Sequence, residues 1–324
     1  MSDKMKWKEA LLLSSMPLEF EAARLLVAEG FSVNSDFQYA WSGGEGLRDS
    51  AVDLHASSSL AMPGFDEAVV LNELLINCAP RHPDVSWLFL PDLNTPEFST
   101  PRGGSTIRMI DQFSPYVISQ KPAAAFDAEM PLCYRGIEIN MATGEDAGPV
   151  FNRGILKLQH SLPRLLTENT FAMLTGPRKM NMPFLFCPVL VTSAPLYVIQ
   201  KEVSTEDIRA ASGIEEVASP APCLIMYSDF SPDFKTRCMN EAEALKPLLR
   251  SEKVMEIEMK KVRHYNSHSN LPFTIIEALN AADFHYLNTL FTRFIVCTQN
   301  HFPDFVRGFK QAVHQSLENL EPLT

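Results

Sequence analysis

The sequence predicts an α/β fold, a mixed central sheet flanked by helices, on three observations. Two near-continuous apolar runs, Ala68–Cys78 (AVVLNELLINC) and Phe184–Thr192 (FLFCPVLVT), have strand length and the pattern of strands buried on both faces. Between them, Gly154–Leu166 carries Ile155, Leu158, Leu162, Leu165 and Leu166 at helical spacing. Shorter strand-like segments precede the first run. At 324 residues and 46% hydrophobic content the chain has ample material for a core, which excludes disorder as its main state.

The first element is an amphipathic helix over Pro17–Gly30. Leu18, Ala22, Leu25 and Leu26 share one face, Pro17 suits the first turn, and Gly30 suits the C-terminal cap. Phe31–Val33 alternates as a strand that Gln38–Trp41 extends. Ser42–Gly46 is a turn, and Ala51–Ala56 a second strand. Ala68–Cys78 reads as a strand near the middle of the sheet, and Val85–Leu90 as a short one stopped by Pro91. Residues 91–130, rich in Pro, Gly, Ser and Thr, read as loop with one short helix near Ile107–Phe113. Phe184–Thr192 is a buried strand in which Pro188 marks a sheet edge. Beyond Glu202 come a short helix, a strand at Cys223–Tyr227, and helices over Thr236–Val262 and Pro272–Gln299. The expected division is a core over 1–200 and a mixed, mostly helical region over 201–324, with no clear linker to say whether the latter is separate.

Charge is unevenly placed. Residues 1–150 hold 10 Lys and Arg against 21 Asp and Glu, a net of −11, while the remainder is balanced at 18 of each. Such a field repels phosphate backbones in general and suits a carboxylate cluster that takes a divalent cation. The six cysteines are scattered with no C-x-x-C spacing, which argues against structural zinc or a disulfide framework. No stretch is long and apolar enough to span a bilayer, and the opening residues lack a signal-peptide core. A cytoplasmic location and no membrane association are the expectation.

Three features in the first 80 residues carry the chemistry. Glu19, or Glu21 as fallback, lies on the first helix; Asp53 lies in an apolar strand; the next strand ends in Asn77-Cys78-Ala79. Carboxylates delivered from neighbouring elements hold hard ions such as Mg²⁺ or Mn²⁺. Such an ion polarises a phosphate and lowers the pKa of a bound water. No G-x-S-x-G elbow, Walker-type loop or G-x-G-x-x-G fingerprint is present.

The runs EFEAARLLVAEGFSV, AVDLHA and ELLINCA, in this order, resemble the PD-(D/E)xK nuclease superfamily, in particular its restriction-endonuclease-like, Mrr-type branch. PVLVTSA at 188–194 resembles that branch's fourth core strand. The resemblance spans roughly residues 17–200 and implies an αβββαβ core, with a largely helical C-terminal extension here. It implies that Asp53 is the metal-binding aspartate and Glu19 the helix carboxylate. Asn77 stands where the family has Glu, Asp or Gln, and Ala79 where it has lysine. An amide still offers a carbonyl oxygen to a metal; alanine offers no charge. Losing a positioned cation of this kind costs on the order of a hundredfold in rate. Arg81, two residues on, has the strand parity to substitute, although Pro80 intervenes and arginine stays protonated. Glu73 shares the parity of Asn77 but lies about 13 Å back along the strand.

Each residue also has a plainer reading. Glu19 fits a solvated helix face, Asp53 a strand end, Asn77 a backbone cap, and His55 a satisfied structural histidine. Lys260, Lys261 and Arg263 form a basic patch that is either a solvated helix end or a phosphate-contacting surface. The leading expectation is a divergent restriction-endonuclease-like protein with a degenerate triplet, a weak or inactive nuclease relative that binds DNA or a partner. The first alternative is an active Mg²⁺-dependent endonuclease in which Arg81 or another cation replaces the missing lysine. The second is an interaction scaffold, as a homodimer or with another protein, without a nucleic-acid role.

Overall fold

The apolar runs that define the sequence pattern become inner strands of one sheet, which has eleven strands among the described residues. The computed structural model describes residues 3–43, 46–63, 69–94, 106–110, 116–175, 183–230, 233–250 and 290–322, together with 252, 255 and 279. Helices α1 (Asp3–Leu13) and α2 (Met16–Ala28) open the chain. Strands β1 (Ser32–Gly43), β2 (Gly46–Ala61) and β3 (Val69–Ala79) follow as an antiparallel meander. Then come β4 (Val85–Pro91), β5 (Arg108–Ile110), β6 (Tyr116–Ile118), α3 (Lys121–Asp127), β7 (Leu132–Asn140) and the long α4 (Val150–Thr175). The chain continues through β8 (Phe184–Thr192), β9 (Leu196–Ile199), α5 (Thr205–Ala210), β10 (Ala218–Pro220), β11 (Cys223–Tyr227) and α6 (Phe234–Ala242). It ends with β12 (Arg293–Thr298), α7 (Phe302–Glu318) and β13 (Leu320–Pro322).

The strand order is β1-β2-β3-β8-β12-β11-β7-β4-β9-β10, with β5 on β8, and β13 pairs β6 separately. β8 runs parallel to β3, joined through α4, as a parallel neighbour needs a crossover connection. β12 runs parallel to β8 and antiparallel to β11. The sheet is therefore mixed, as expected.

Side-chain alternation on β3 divides the interior in two. Leu71, Leu75 and Ala79 face α4, which covers them with Phe151, Ile155, Leu158, Leu162, Leu165 and Leu166. Val70, Leu74, Ile76 and Cys78 face Leu18, Ala22 and Leu26 of α2 and the Phe302–Leu317 stripe of α7. Helices on both faces explain why β3 and β8 are buried at nearly every position. α2 stops where Gly30 adopts φ +90°, a left-handed conformation, with the Phe31 N–H donating to the Leu26 carbonyl.

Several expectations need correction. Pro188 is not at an edge: β8 lies between β3 and β12, and Pro188 is in register with Leu75. The strand tolerates it for a local reason. The Pro183 carbonyl bonds β3 and the Thr192 carbonyl bonds the residue after β12, so Pro188, with the parity of Thr192, lacks its N–H on the β5/β12 side. There β5 pairing ends at Phe186 and β12 pairing begins at Val189, so the missing donor falls in the gap.

The helix expected near Ile107–Phe113 is instead β5 over its described part, and the short helix lies later, at α3. Arg108 is fully buried there and donates to the carbonyls of Leu290, Thr106 and Arg293, partners that no local pattern reveals. Over the described part of the helix expected at Thr236–Val262 the chain forms α6 and then a 3-10 segment, Glu243–Arg250, containing Pro247; residues 256–262 lie outside the described residues. Within Pro272–Gln299, residues 293–298 form β12. A short apolar run reads as helix or buried strand by periodicity alone, and the flanking β8 and β11 decide it. The region beyond 201 therefore contributes inner strands to the same sheet.

Candidate functional site

Asp53, on β2, is held at the end of β3. Its Oδ2 accepts a hydrogen bond of 2.6 Å from the Cys78 backbone N–H, and its Oδ1 lies 3.7 Å from the Lys157 ammonium on α4. Burial pushes the Asp53 carboxyl up from its ordinary range and the Glu19 charge adds to this, while the Cys78 N–H and Lys157 oppose it. Cys78, buried beside these acids, is pushed well up by burial first and then by Asp53 and Glu19. Glu19 thus belongs to the surroundings of Asp53, from the first turn of α2. Glu21, the fallback, is exposed and accepts from the Gln299 side chain instead.

Asn77 is buried at the end of β3, and its side-chain Oδ1 has no hydrogen-bond partner among the described residues. An unsatisfied buried acceptor is uncommon and needs an occupant or a reason. Gly154 of α4 creates the room: a Cβ there would come within 3.2 Å of Asn77 Nδ2 and 2.6 Å of Leu190 Cδ1. The absence of that Cβ lets α4 settle on β3 and β8, which brings Lys157, one turn on, to Asp53.

Ala79 is buried in the core under α4, and its carbonyl accepts from Thr192 Oγ1 at 2.8 Å. Arg81 goes elsewhere. Its Nη2 pairs with Glu138 Oε2 at 2.9 Å and donates to the Ala147 carbonyl at 2.6 Å. Glu138 also accepts from Trp87 Nε1 at 3.1 Å and from the Phe151 N–H at 2.5 Å, so this knot fastens the start of α4. The charged groups acting on Asp53 are Lys157 and Glu19, and Arg81 is not among them.

His55, two residues beyond Asp53, has its Nε2 3.0 Å from Glu73 Oε1 and its ring edge-on to Phe37. The other Glu73 oxygen accepts from Asn169 on α4. The carboxylate judged too distant to replace Asn77 is thus buried and satisfied by its own partners.

The site therefore gathers Glu19, Asp53 and Asn77 with one cation, Lys157. The sequence reading missed Lys157 and Gly154. Their signal was a lysine one turn past a glycine, in the helix whose apolar face had to cover β3. Two carboxylates and an amide oxygen with no partner among the described residues are donors of the hard-oxygen type that Mg²⁺ or Mn²⁺ prefers. Among the described residues no three His, Cys, Asp or Glu side chains form a group that could hold a metal ion. Lys260, Lys261 and Arg263 lie outside the described residues.

Comparison with known proteins brings no match: no family model, no curated protein and no solved structure matches this chain. Among the described residues no helix is long and apolar enough to cross a membrane.

Proposed function

We propose that this chain is a divergent restriction-endonuclease-like protein whose Asp53 site performs divalent-metal-dependent phosphodiester hydrolysis, with Lys157 in place of the lysine absent at Ala79. The observation that carries the reading is the Lys157–Asp53 approach of 3.7 Å. It delivers an ammonium to the carboxylate from a different element than the strand triplet. Further support comes from the order α2-β1-β2-β3 and, after the intervening β4, β5, β6, α3 and β7, from α4 and β8, with β8 parallel to β3.

Glu19, Asp53 and the Asn77 carbonyl oxygen would hold Mg²⁺ or Mn²⁺. When bound, the ion supplies polarisation of the phosphate and a more acidic water. The Cys78 N–H fixes one Asp53 oxygen, leaving the other to face Lys157. Lys157, 41% exposed, is free to swing from Asp53 to a phosphate and offset the charge that develops there. Arg153 lies one turn before Lys157 on the same helix, where it would add to the attraction of a polyanion such as DNA, whereas Arg164 is paired with Glu168.

A binding role without turnover is the second reading. It is favoured by Asn77 at a carboxylate position and by Ala79 packed where a lysine would stand. Calorimetry with Mn²⁺ and Mg²⁺ on the wild type and Asp53→Ala, paired with cleavage of duplex DNA, separates the two. Hydrolysis that needs both metal and Asp53 supports the enzyme. Metal binding with salt-dependent DNA affinity and no cleavage supports the binder. Neither metal nor DNA binding removes both.

A further inference from the structure

Two of the six buried cysteines stand opposite each other across adjacent strands: Cys223 on β11 is in register with Cys297 on β12. The type of pair follows from its neighbours. The Thr298 N–H donates to the Pro222 carbonyl at 2.9 Å, and the Ser228 N–H to the Thr292 carbonyl at 2.8 Å. Residues 222 and 298, like 228 and 292, therefore form hydrogen-bonded pairs. Alternation along an antiparallel ladder makes 223 and 297 a non-hydrogen-bonded pair, with Cα atoms about 4.5 Å apart and side chains at their closest. That separation lies within the range a disulfide spans.

Both side chains point into the same core, under α2, α3 and α7. In the structure Cys223 Sγ lies 3.8 Å from Met130 Sδ and Cys297 Sγ 3.4 Å from the Thr298 carbonyl, and the neighbouring Cys297 thiol together with burial holds the Cys223 thiol well above its ordinary pKa. The pair sits where β11 begins and β12 ends, and Cys223 is 6% exposed against 0% for Cys297.

We propose that Cys223 and Cys297 form a latent disulfide pair, which a peroxide closes into a cross-strand bond at this end of the sheet. Cys223 reacts first because it is the one with exposed surface. Its thiolate takes one oxygen from hydrogen peroxide, which with a proton leaves as water, and becomes the sulfenic acid. The Cys297 thiol then attacks that sulfur, the S–S bond forms, and the hydroxyl departs as a second water. Two thiols lose two hydrogens in all, and one peroxide is reduced. Scarcity of thiolate at neutral pH makes the first step slow, and faster as pH rises.

The site also has a consequence for its surroundings. The Gln299 N–H donates to the Thr192 carbonyl, and the Gln299 side chain to Glu21 on α2, so the bond would form two residues from a tie between β12, β8 and α2. The inference stands apart from the Asp53 chemistry.

The test is hydrogen peroxide treatment of the folded full chain, then alkylation of free thiols, digestion without reductant and mass spectrometry. The expected product joins the Cys223 and Cys297 peptides, persists in Cys187→Ser, and is absent from Cys297→Ser. In that variant dimedone is expected to trap a sulfenic acid at Cys223. Circular dichroism checks that each serine variant remains folded. Recovery of both cysteines as alkylated thiols from folded, peroxide-treated protein would overturn the proposal. So would a Cys223–Cys187 bond, or a 223–297 bond that arises only in urea.

Discussion

The ammonium of Lys157 stands 3.7 Å from Asp53 Oδ1, although more than a hundred positions of sequence separate them and Ala79 occupies the next strand position that shares the facing of Asn77. At that distance the pair is an ion contact and not a tight hydrogen bond, so the lysine is not locked to the acid. A cation in this place raises the local potential over the carboxylates without depending on the β3 terminus.

Lys157→Met keeps the stem that packs along α4 and removes the charge. On the proposed function, single-turnover cleavage falls on the order of a hundredfold while metal affinity is kept or rises, since a competing cation is gone. A variant that cleaves at the wild-type rate would remove Lys157 from the mechanism.

Gly154→Ala places a methyl 2.6 Å from Leu190 Cδ1 and 3.2 Å from Asn77 Nδ2. Overpacking of this kind costs about 1–3 kcal/mol. Urea unfolding should show that loss, and metal binding should weaken in parallel because α4 lifts from Asn77. Unchanged stability would mean that Leu190 yields more readily than its burial suggests.

Glu138→Ala strips the acceptor from the Arg81 guanidinium, the Trp87 indole N–H and the Phe151 N–H together. Breaking a buried ion pair by removing one partner costs roughly 3–5 kcal/mol. A midpoint shift of under 1 kcal/mol would show that water replaces the carboxylate at this end of α4.

Acid stability should report His160. Burial, with the nearby Arg237, lowers its pKa from 6.5 to about 4. The unfolded chain then binds the proton more readily than the folded one between those values, so stability rises with pH in that window. The contribution is complete above pH 6.5 and is lost as pH falls toward 4, about 3 kcal/mol in all. Urea titrations at pH 7.5, 5.5 and 4.5 should show a slope that His160→Gln flattens; equal slopes in the two proteins would contradict it.

The elements that were legible share one property: their neighbours in sequence already constrain them. α2 declares itself through Leu18, Ala22 and Leu26 with Pro17 and Gly30 at its ends, and it runs Met16–Ala28. β3 and β8 are apolar runs too short for most helices and bounded by breakers, and both lie inside the sheet. β12 failed the same reasoning, because RFIVCT is equally apolar but flanked by residues that also suit a helix. Arg108 failed it more completely: a charged residue that is wholly buried is explained only by three carbonyls from residues 106, 290 and 293.

The sequence alone determined the class of fold and the helix and strands that carry Glu19, Asp53, Asn77 and Ala79, because these depend on residue type and on periods of two and 3.6. Tertiary structure alone decided which cation meets Asp53, and it assigned Arg81 to Glu138 instead. It also decided that Asn77 keeps a buried oxygen without a partner among the described residues and that Cys223 faces Cys297. Each of those facts is a distance between residues far apart in the chain. Such distances are set by how α4 packs on β3 and by which strands pair, and no local pattern encodes them.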